Sequence, residues 1–172
     1  MRLKWSVLRC SLLLSALLVL SSAGGVAAKE GLRFMIDPQW AFLKDETVSS
    51  TYTMTFVPQG QTGENWEHLF EVVETARKNY PQKADDAYAQ LLETRLQSCP
   101  DTRSELLEQD QASLIFEMFT SNCPPGQDQY QATRILYGKK KAYIMIFTSR
   151  SGQVSPELRE SWLKVLRQAR VQ

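Results

Sequence analysis

The stretch Cys99-Pro100-Asp101-Thr102-Arg103-Ser104-Glu105-Leu106-Leu107-Glu108-Gln109-Asp110-Gln111-Ala112-Ser113-Leu114-Ile115-Phe116-Glu117-Met118-Phe119-Thr120-Ser121-Asn122-Cys123 decides how the rest of the chain is read. It begins where a helical pattern (Tyr88, Leu91, Leu92, Leu96) stops at Pro100, and it closes at the turn Cys123-Pro124-Pro125-Gly126. Between the cysteines, Leu106-Leu107 and residues 112–119 read as strand. In the second run Leu114, Phe116 and Met118 alternate with Ile115 and Phe119. Apolar groups on both faces mark a strand covered on both sides. Glu117 breaks the run, and a carboxylate there needs a partner or a wet edge. If the two thiols are joined, the bond ties a helix end to a strand end.

The compartment bears on that pairing. Arg2, Lys4 and Arg9 precede an apolar run from Ser11 to Leu20, and Val26-Ala27-Ala28 ends in small residues. This is the layout of a secretory signal peptide over residues 1–28, cleaved near Ala28. The apolar run is short against the roughly 20 residues that a membrane span needs. Cys10 precedes that run and leaves with the leader, so Cys99 and Cys123 remain. An even count in an exported chain argues for a structural disulfide, contributing roughly 3 kcal/mol for a loop of this length. The leader holds three of the 20 Lys and Arg residues and none of the 19 Asp and Glu, so 17 basic residues face 19 acidic ones after cleavage, a net charge of −2. That balance excludes the basic face of a nucleic-acid binder.

Outward from the cysteine loop, residues 29–50 form a lead-in segment (Phe34, Ile36, Trp40, Phe42, Leu43) expected to pack on a single domain at 51–172. Residues 51–57 alternate strictly: Tyr52, Met54 and Phe56 on one side, threonines on the other, wetter side. That is a half-buried strand. Residues 64–68 are expected as a helical turn capped by Thr62, with a strand near 69–75. A helix over 82–98 starts after Pro81 and has Asp85 and Asp86 in its first turn. Tyr130–Tyr137 and Lys141–Thr148 read as a hairpin joined at Gly138-Lys139-Lys140. Its second arm, Tyr143-Ile144-Met145-Ile146-Phe147, is the candidate for the middle of the core. Ser155-Pro156-Glu157 opens a last helix with a cap, a proline at the first position and an acid. Leu158, Trp162, Val165, Leu166 and Ala169 are its buried face. The sum is an α+β fold: a mainly antiparallel sheet covered by amphipathic helices, a layered α/β sandwich with one disulfide.

Glu64-Asn65-Trp66 after a strand ending in Pro58-Gln59-Gly60, then Cys99-Pro100, Cys123, Gly138 with Tyr143 five residues on, and a Trp-containing last helix together resemble a largely uncharacterised family of small exported Gram-negative bacterial proteins. The arrangement also resembles the PsbP-like and DcrB-like sandwich. The resemblance covers roughly residues 50–170. It implies a periplasmic or secreted location and a sheet-and-helix fold, and it carries no catalytic residue across.

Asn65, Trp66 and Tyr143 are the candidate binding residues, from that resemblance and from their polar-aromatic character. Three functions compete. The favoured one is a non-catalytic binding domain for an envelope protein or a small apolar ligand. The second is an envelope hydrolase drawing on carboxylates between Glu64 and Glu74. The third is a membrane-surface protein using Lys139–Lys141, although three lysines at a hairpin tip also blunt edge pairing. His68 is the sole histidine. With Glu64 and Glu71 it falls short of the donor set of a structural zinc site, and it reads as a surface residue beside a tryptophan. No cofactor or metal is assigned. Trp40, Trp66 and Trp162 are expected to pack together, either as core or as an apolar cleft under the sheet.

Overall fold

The computed structural model describes residues 30–124 and 128–172. The expected leader, Cys10 and the Pro125-Gly126 part of the turn lie outside the described residues. Among the described residues nine strands and two α-helices, with a short 3-10 turn at Arg77–Asn79, follow in the order β1 (Leu32–Arg33), β2 (Trp40–Val48), β3 (Thr51–Pro58), β4 (His68–Ala76), α1 (Ala84–Ser98), β5 (Arg103–Gln109), β6 (Ser113–Phe119), β7 (Tyr130–Tyr137), β8 (Lys141–Ser149), α2 (Pro156–Gln168) and β9 (Arg170–Val171).

Strands β2 to β8 form one seven-stranded sheet in the order β2-β3-β4-β8-β7-β6-β5, with every neighbouring pair antiparallel. β8 holds the middle position, where its apolar residues on both faces are covered. β1 and β9 make a separate two-stranded ribbon. The register sorts side chains by parity, since successive residues of a strand face opposite sides. Phe70, Val72, Ile115, Tyr130, Ala132, Tyr143, Met145 and Phe147 pack with α2. Leu114, Phe116, Met118, Ile135 and Ile144 pack with α1 on the other side. The fold is therefore three layers, with the sheet between two helices.

Aromatic rings dominate the α2 layer. Trp162 stacks on Phe147 at 4.5 Å and meets Trp40 edge-on at 4.7 Å, and Phe34 sets an edge against Phe70 at 5.7 Å. Glu117 is fully buried in this layer and has found its partner. Arg159 of α2 grips it with two nitrogens (Nε to Oε1, 2.7 Å; Nη2 to Oε2, 2.5 Å), and the Tyr130 hydroxyl donates to Oε1. Helix periodicity alone placed Arg159 on the exposed side of α2; the buried carboxylate draws it inward. Arg134 on β7 is likewise buried and donates to the carbonyls of Leu166 and Ala169, satisfying the last turn of α2.

On the other side, the Cys99–Cys123 disulfide joins the end of α1 to the segment after β6, with the Cα atoms 5.2 Å apart. Cys99 has no exposed surface.

Several local expectations change. Residues 29–50 supply a strand as well as a packed lead-in: Trp40–Val48 pairs with β3 along its length, because its register lets Phe42 meet Phe56. The helical turn at 64–68 does not form. Thr62 caps no helix; its amide and hydroxyl donate to Asn65 Oδ1 (2.7 and 2.8 Å), and β4 starts at His68. α1 begins at Ala84 after an uncapped Lys83, which leaves Pro81 outside the helix. Leu96, expected in its buried stripe, is exposed, while Tyr88, Leu91 and Leu92 are half-buried. The threonine side of β3 is drier than alternation suggests, with Thr55 buried between β2 and β4. Both edge strands carry charges and a register irregularity (Phe42/Lys44 on β2, Leu106/Glu108 on β5), two devices that discourage edge-to-edge pairing.

Candidate functional site

The candidate residues divide between two ends of β8. Asn65 and Trp66 lie in the loop that enters β4, and the register brings the start of β4 beside the end of β8, with His68 opposite Ser149. Tyr143 lies six positions away along β8, about 20 Å at the rise of an extended strand. The structure brings Asn65 and Trp66 together and leaves Tyr143 apart.

Tyr143 is a core residue. It is 1% exposed and packs in the α2 layer opposite Glu74 of β4, and its hydroxyl has no hydrogen-bond partner. Burial, reinforced by the charges of Glu74 and Glu30, pushes the phenol up to about 12.

Asn65 builds the loop. Its Oδ1 accepts two bonds from Thr62, and Gln61 Oε1 accepts from the Glu67 amide at 2.8 Å. These contacts fix the backbone on either side of Trp66. Arg150, just past β8, then docks the loop from the other side. Its amide donates to Glu67 O at 3.0 Å, its Nη1 donates to Glu64 O at 3.3 Å, and its guanidinium lies over the Trp66 ring, 4.0 Å from the centroid. A cation over an indole face in partial solvent is held by the ring quadrupole.

Trp66, Glu67, His68, Ser149, Arg150 and Ser151 line a cavity of about 330 Å³. Its lining is largely apolar, with polar groups behind it. Ser149, fully buried, meets the Ser151 hydroxyl at 3.1 Å, and the buried Nδ1 of His68 has no hydrogen-bond partner. His68, expected at the surface, is half-buried with its ring against Phe147 (5.7 Å), and burial lowers its pKa against the opposing pull of Glu67. The cavity combines a flat aromatic ledge, a fixed cation, two hydroxyls and an imidazole. Such a set suits a small, largely apolar group laid against the indole, with a polar bond at its edge. Arg150, Ser149 and Ser151 escaped the sequence reading because they are distant in the chain from Trp66; only the β4–β8 register joins them.

Trp66 does not join the other tryptophans: Trp40 and Trp162 pack in the α2 layer, whereas Trp66 faces this cleft.

The glutamates disperse. Glu64 and Glu67 are exposed in the loop, Glu71 faces the α1 side of the sheet, and Glu74 faces the α2 side with Lys141 as its ion partner. Glu71 and Glu74 cannot flank one bond as a glycosidase pair does. Burial raises the Glu71 carboxyl above its ordinary value, with Lys44 opposing and Glu46 assisting.

At the hairpin tip the amides of Lys139, Lys140 and Lys141 all donate to the Glu30 carboxylate, at 2.8 to 3.3 Å. A Cβ at Gly138 would meet the Glu30 carboxylate, so any larger residue there must displace that side chain. Among the described residues no group of three or more His, Cys, Asp or Glu side chains can hold a metal, and no helix is long and apolar enough to cross a membrane.

No protein-family model matches the chain, and no curated protein matches it in sequence.

Proposed function

We propose that this chain is an exported, non-catalytic binding domain of the bacterial envelope, periplasmic or secreted, and that it holds its partner at the Trp66–Arg150 cleft. The observation that carries the proposal is the Trp66 indole at the rim of the 330 Å³ cavity, with Arg150 stacked on it and Asn65 knitting the loop beneath. An aromatic ledge held by main-chain bonds on both flanks is pre-organised, which reduces the ordering cost of binding. The partner class is an envelope protein presenting a side chain to the cleft, or a small apolar ligand. Asn65 acts by positioning and Trp66 by contact; Tyr143 supports the core. The basic–apolar–small leader pattern and the Cys99–Cys123 bond support an oxidising compartment. The likeness to the family of small exported Gram-negative proteins points the same way.

The test is crosslinking in intact envelopes with wild type, Trp66→Ala and Tyr143→Phe chains. Trp66→Ala should lose the crosslinked partner at an unchanged melting temperature, while Tyr143→Phe keeps it. A partner retained by Trp66→Ala removes the cleft from consideration. Turnover of an envelope substrate that disappears in Glu67→Ala or Glu71→Ala, with the fold intact, would replace this proposal with the hydrolase.

A further inference from the structure

At the other end of β8 from the cleft, the β1–β9 ribbon lies on the α2 layer. Leu32, Phe34 and Val171 pack against the core. Parity then turns Arg33, Met35 and Arg170 outward. The register sets Arg33 directly opposite Arg170, two exposed cations on paired positions of an antiparallel ribbon. Like charges across a ladder repel. Among the described residues no acidic side chain pairs with either arginine. Arg33 has no hydrogen bond or ion pair among the described residues, and Arg170 uses Nη1 on the main chain at the end of α2, donating to the carbonyls of Arg167 and Ala169. The acidic groups at hand are committed elsewhere: Glu30 to the hairpin amides and Glu108 to Arg167. Inside the fold, Arg170 adds to burial in lowering the pKa of Arg134, against the opposing pull of Glu108 and Asp110.

Beside the two arginines is a cavity of about 550 Å³, lined by Leu32, Phe34 and Met35 together with Gln168 and Gln172. Met35 is 73% exposed, the most exposed of the large apolar side chains described. An apolar floor next to an unneutralised pair of cations has the two halves of an amphiphile's chemistry.

We propose that this groove binds a single-chain anionic amphiphile, a free fatty carboxylate, with its head between Arg33 and Arg170 and its chain over Leu32, Phe34 and Met35. The carboxylate accepts from both guanidinium groups, where planar forks and a planar anion match. The chain removes the exposed Met35 surface from water. The site is separate from the Trp66–Arg150 cleft and does not depend on it.

Isothermal titration of the full chain with dodecanoate, below its micellar concentration, tests the proposal. Wild type should bind one equivalent. Dodecanol, which lacks the charge, and acetate, which lacks the chain, should each bind at least tenfold more weakly. Arg33→Gln should weaken dodecanoate tenfold or more, Arg33→Lys, which keeps the charge and loses the planar fork, should weaken it by less, and Trp66→Ala should leave it unchanged. Because Arg33 is exposed, its replacement should not lower the melting temperature of the free protein. The proposal is overturned if dodecanoate does not bind, or if dodecanol binds equally well. Equal binding by Arg33→Gln overturns it too. Attachment only to anionic phosphatidylglycerol vesicles, with no binding of the monomeric acid, overturns it in favour of a membrane surface.

Discussion

On one face of the sheet α2 buries Trp162, Leu163 and Leu166; on the other, α1 buries only Ala84 and Ala87 along its length. α2 is finished at both ends. Ser155 Oγ accepts from the Leu158 amide at 3.2 Å, Pro156 sits in the first turn, and Arg134 donates from the sheet to the carbonyls of Leu166 and Ala169. α1 has no side-chain cap at its start, and its larger residues are half-buried at best. It is held instead by point attachments: the disulfide at its end, Tyr88 to Ser104 (2.9 Å) and Arg95 to Gln129 (2.7 Å). One helix is fastened by the hydrophobic effect over a wide apolar face, the other by a thinner apolar contact supplemented by a covalent bond and a few polar contacts. An amphipathic stripe sufficed for the first. Where the stripe was thin, the chain supplied a crosslink.

The largest effect should come from the buried ion pair of the α2 face. Arg159→Ala strands the Glu117 carboxylate in the core and should cost about 3–5 kcal/mol, read from urea melts. Replacing Glu117 and Arg159 together by Leu and Met should recover most of that loss. A single variant as stable as wild type would mean that Glu117 is neutralised by other means. Next comes the α1 face. Removing both cysteines should cost about 3 kcal/mol. Amide exchange should then quicken across residues 84–98 well before residues 156–168; equal acceleration in both helices would erase the proposed division. Ser155→Ala sharpens the comparison at lower cost, about 1 kcal/mol for a lost helix cap, whereas Lys83→Ala at the start of α1 should be close to neutral.

The smallest effect concerns pH. Burial raises the folded-state pKa of Glu71 above 4.5, so its contribution to stability is complete below that pH and is lost as pH climbs through the raised value. Glu71→Gln should therefore be more stable than wild type at pH 7 and indistinguishable from it at pH 4. Parallel stability–pH curves for the two proteins would contradict this.

Much of this architecture was legible in the chain. The strand at residues 51–57, the doubly apolar run of β8, the Ser-Pro-Glu opening of α2 and the cysteine count each follow from a local rule, and each element forms, although the side of β3 expected to be wetter holds its buried residues. What escaped was set by long-range register. Trp40–Val48 carries too many charges to announce a strand, and it becomes one because β3 offers it an edge. Trp66-Glu67-His68-Leu69 has helical spacing, yet the ladder with β8 outweighs that preference. Glu117 was visible as a residue in need of a partner, but nothing in the local pattern named Arg159, 42 residues on. The candidate site divides the same way. Asn65 and Trp66 could be found by eye, and their neighbours Ser149, Arg150 and Ser151 could not. Tyr143 was singled out by the resemblance and its polar-aromatic character, whereas its place in the central strand buries it.

The ribbon of β1 and β9 has a mechanical corollary. Gly31 and Gln172 exchange two backbone hydrogen bonds (3.0 and 2.9 Å), and beyond them Leu32 meets Val171 and Arg33 meets Arg170. Residues 30 and 172 therefore leave the ribbon side by side. A force separating them would open the ladder like a zipper, loading one bond at a time, where shear would load them all together. With optical tweezers attached at these two points, the ribbon should peel away as an early, low-force step ahead of the seven-stranded sheet.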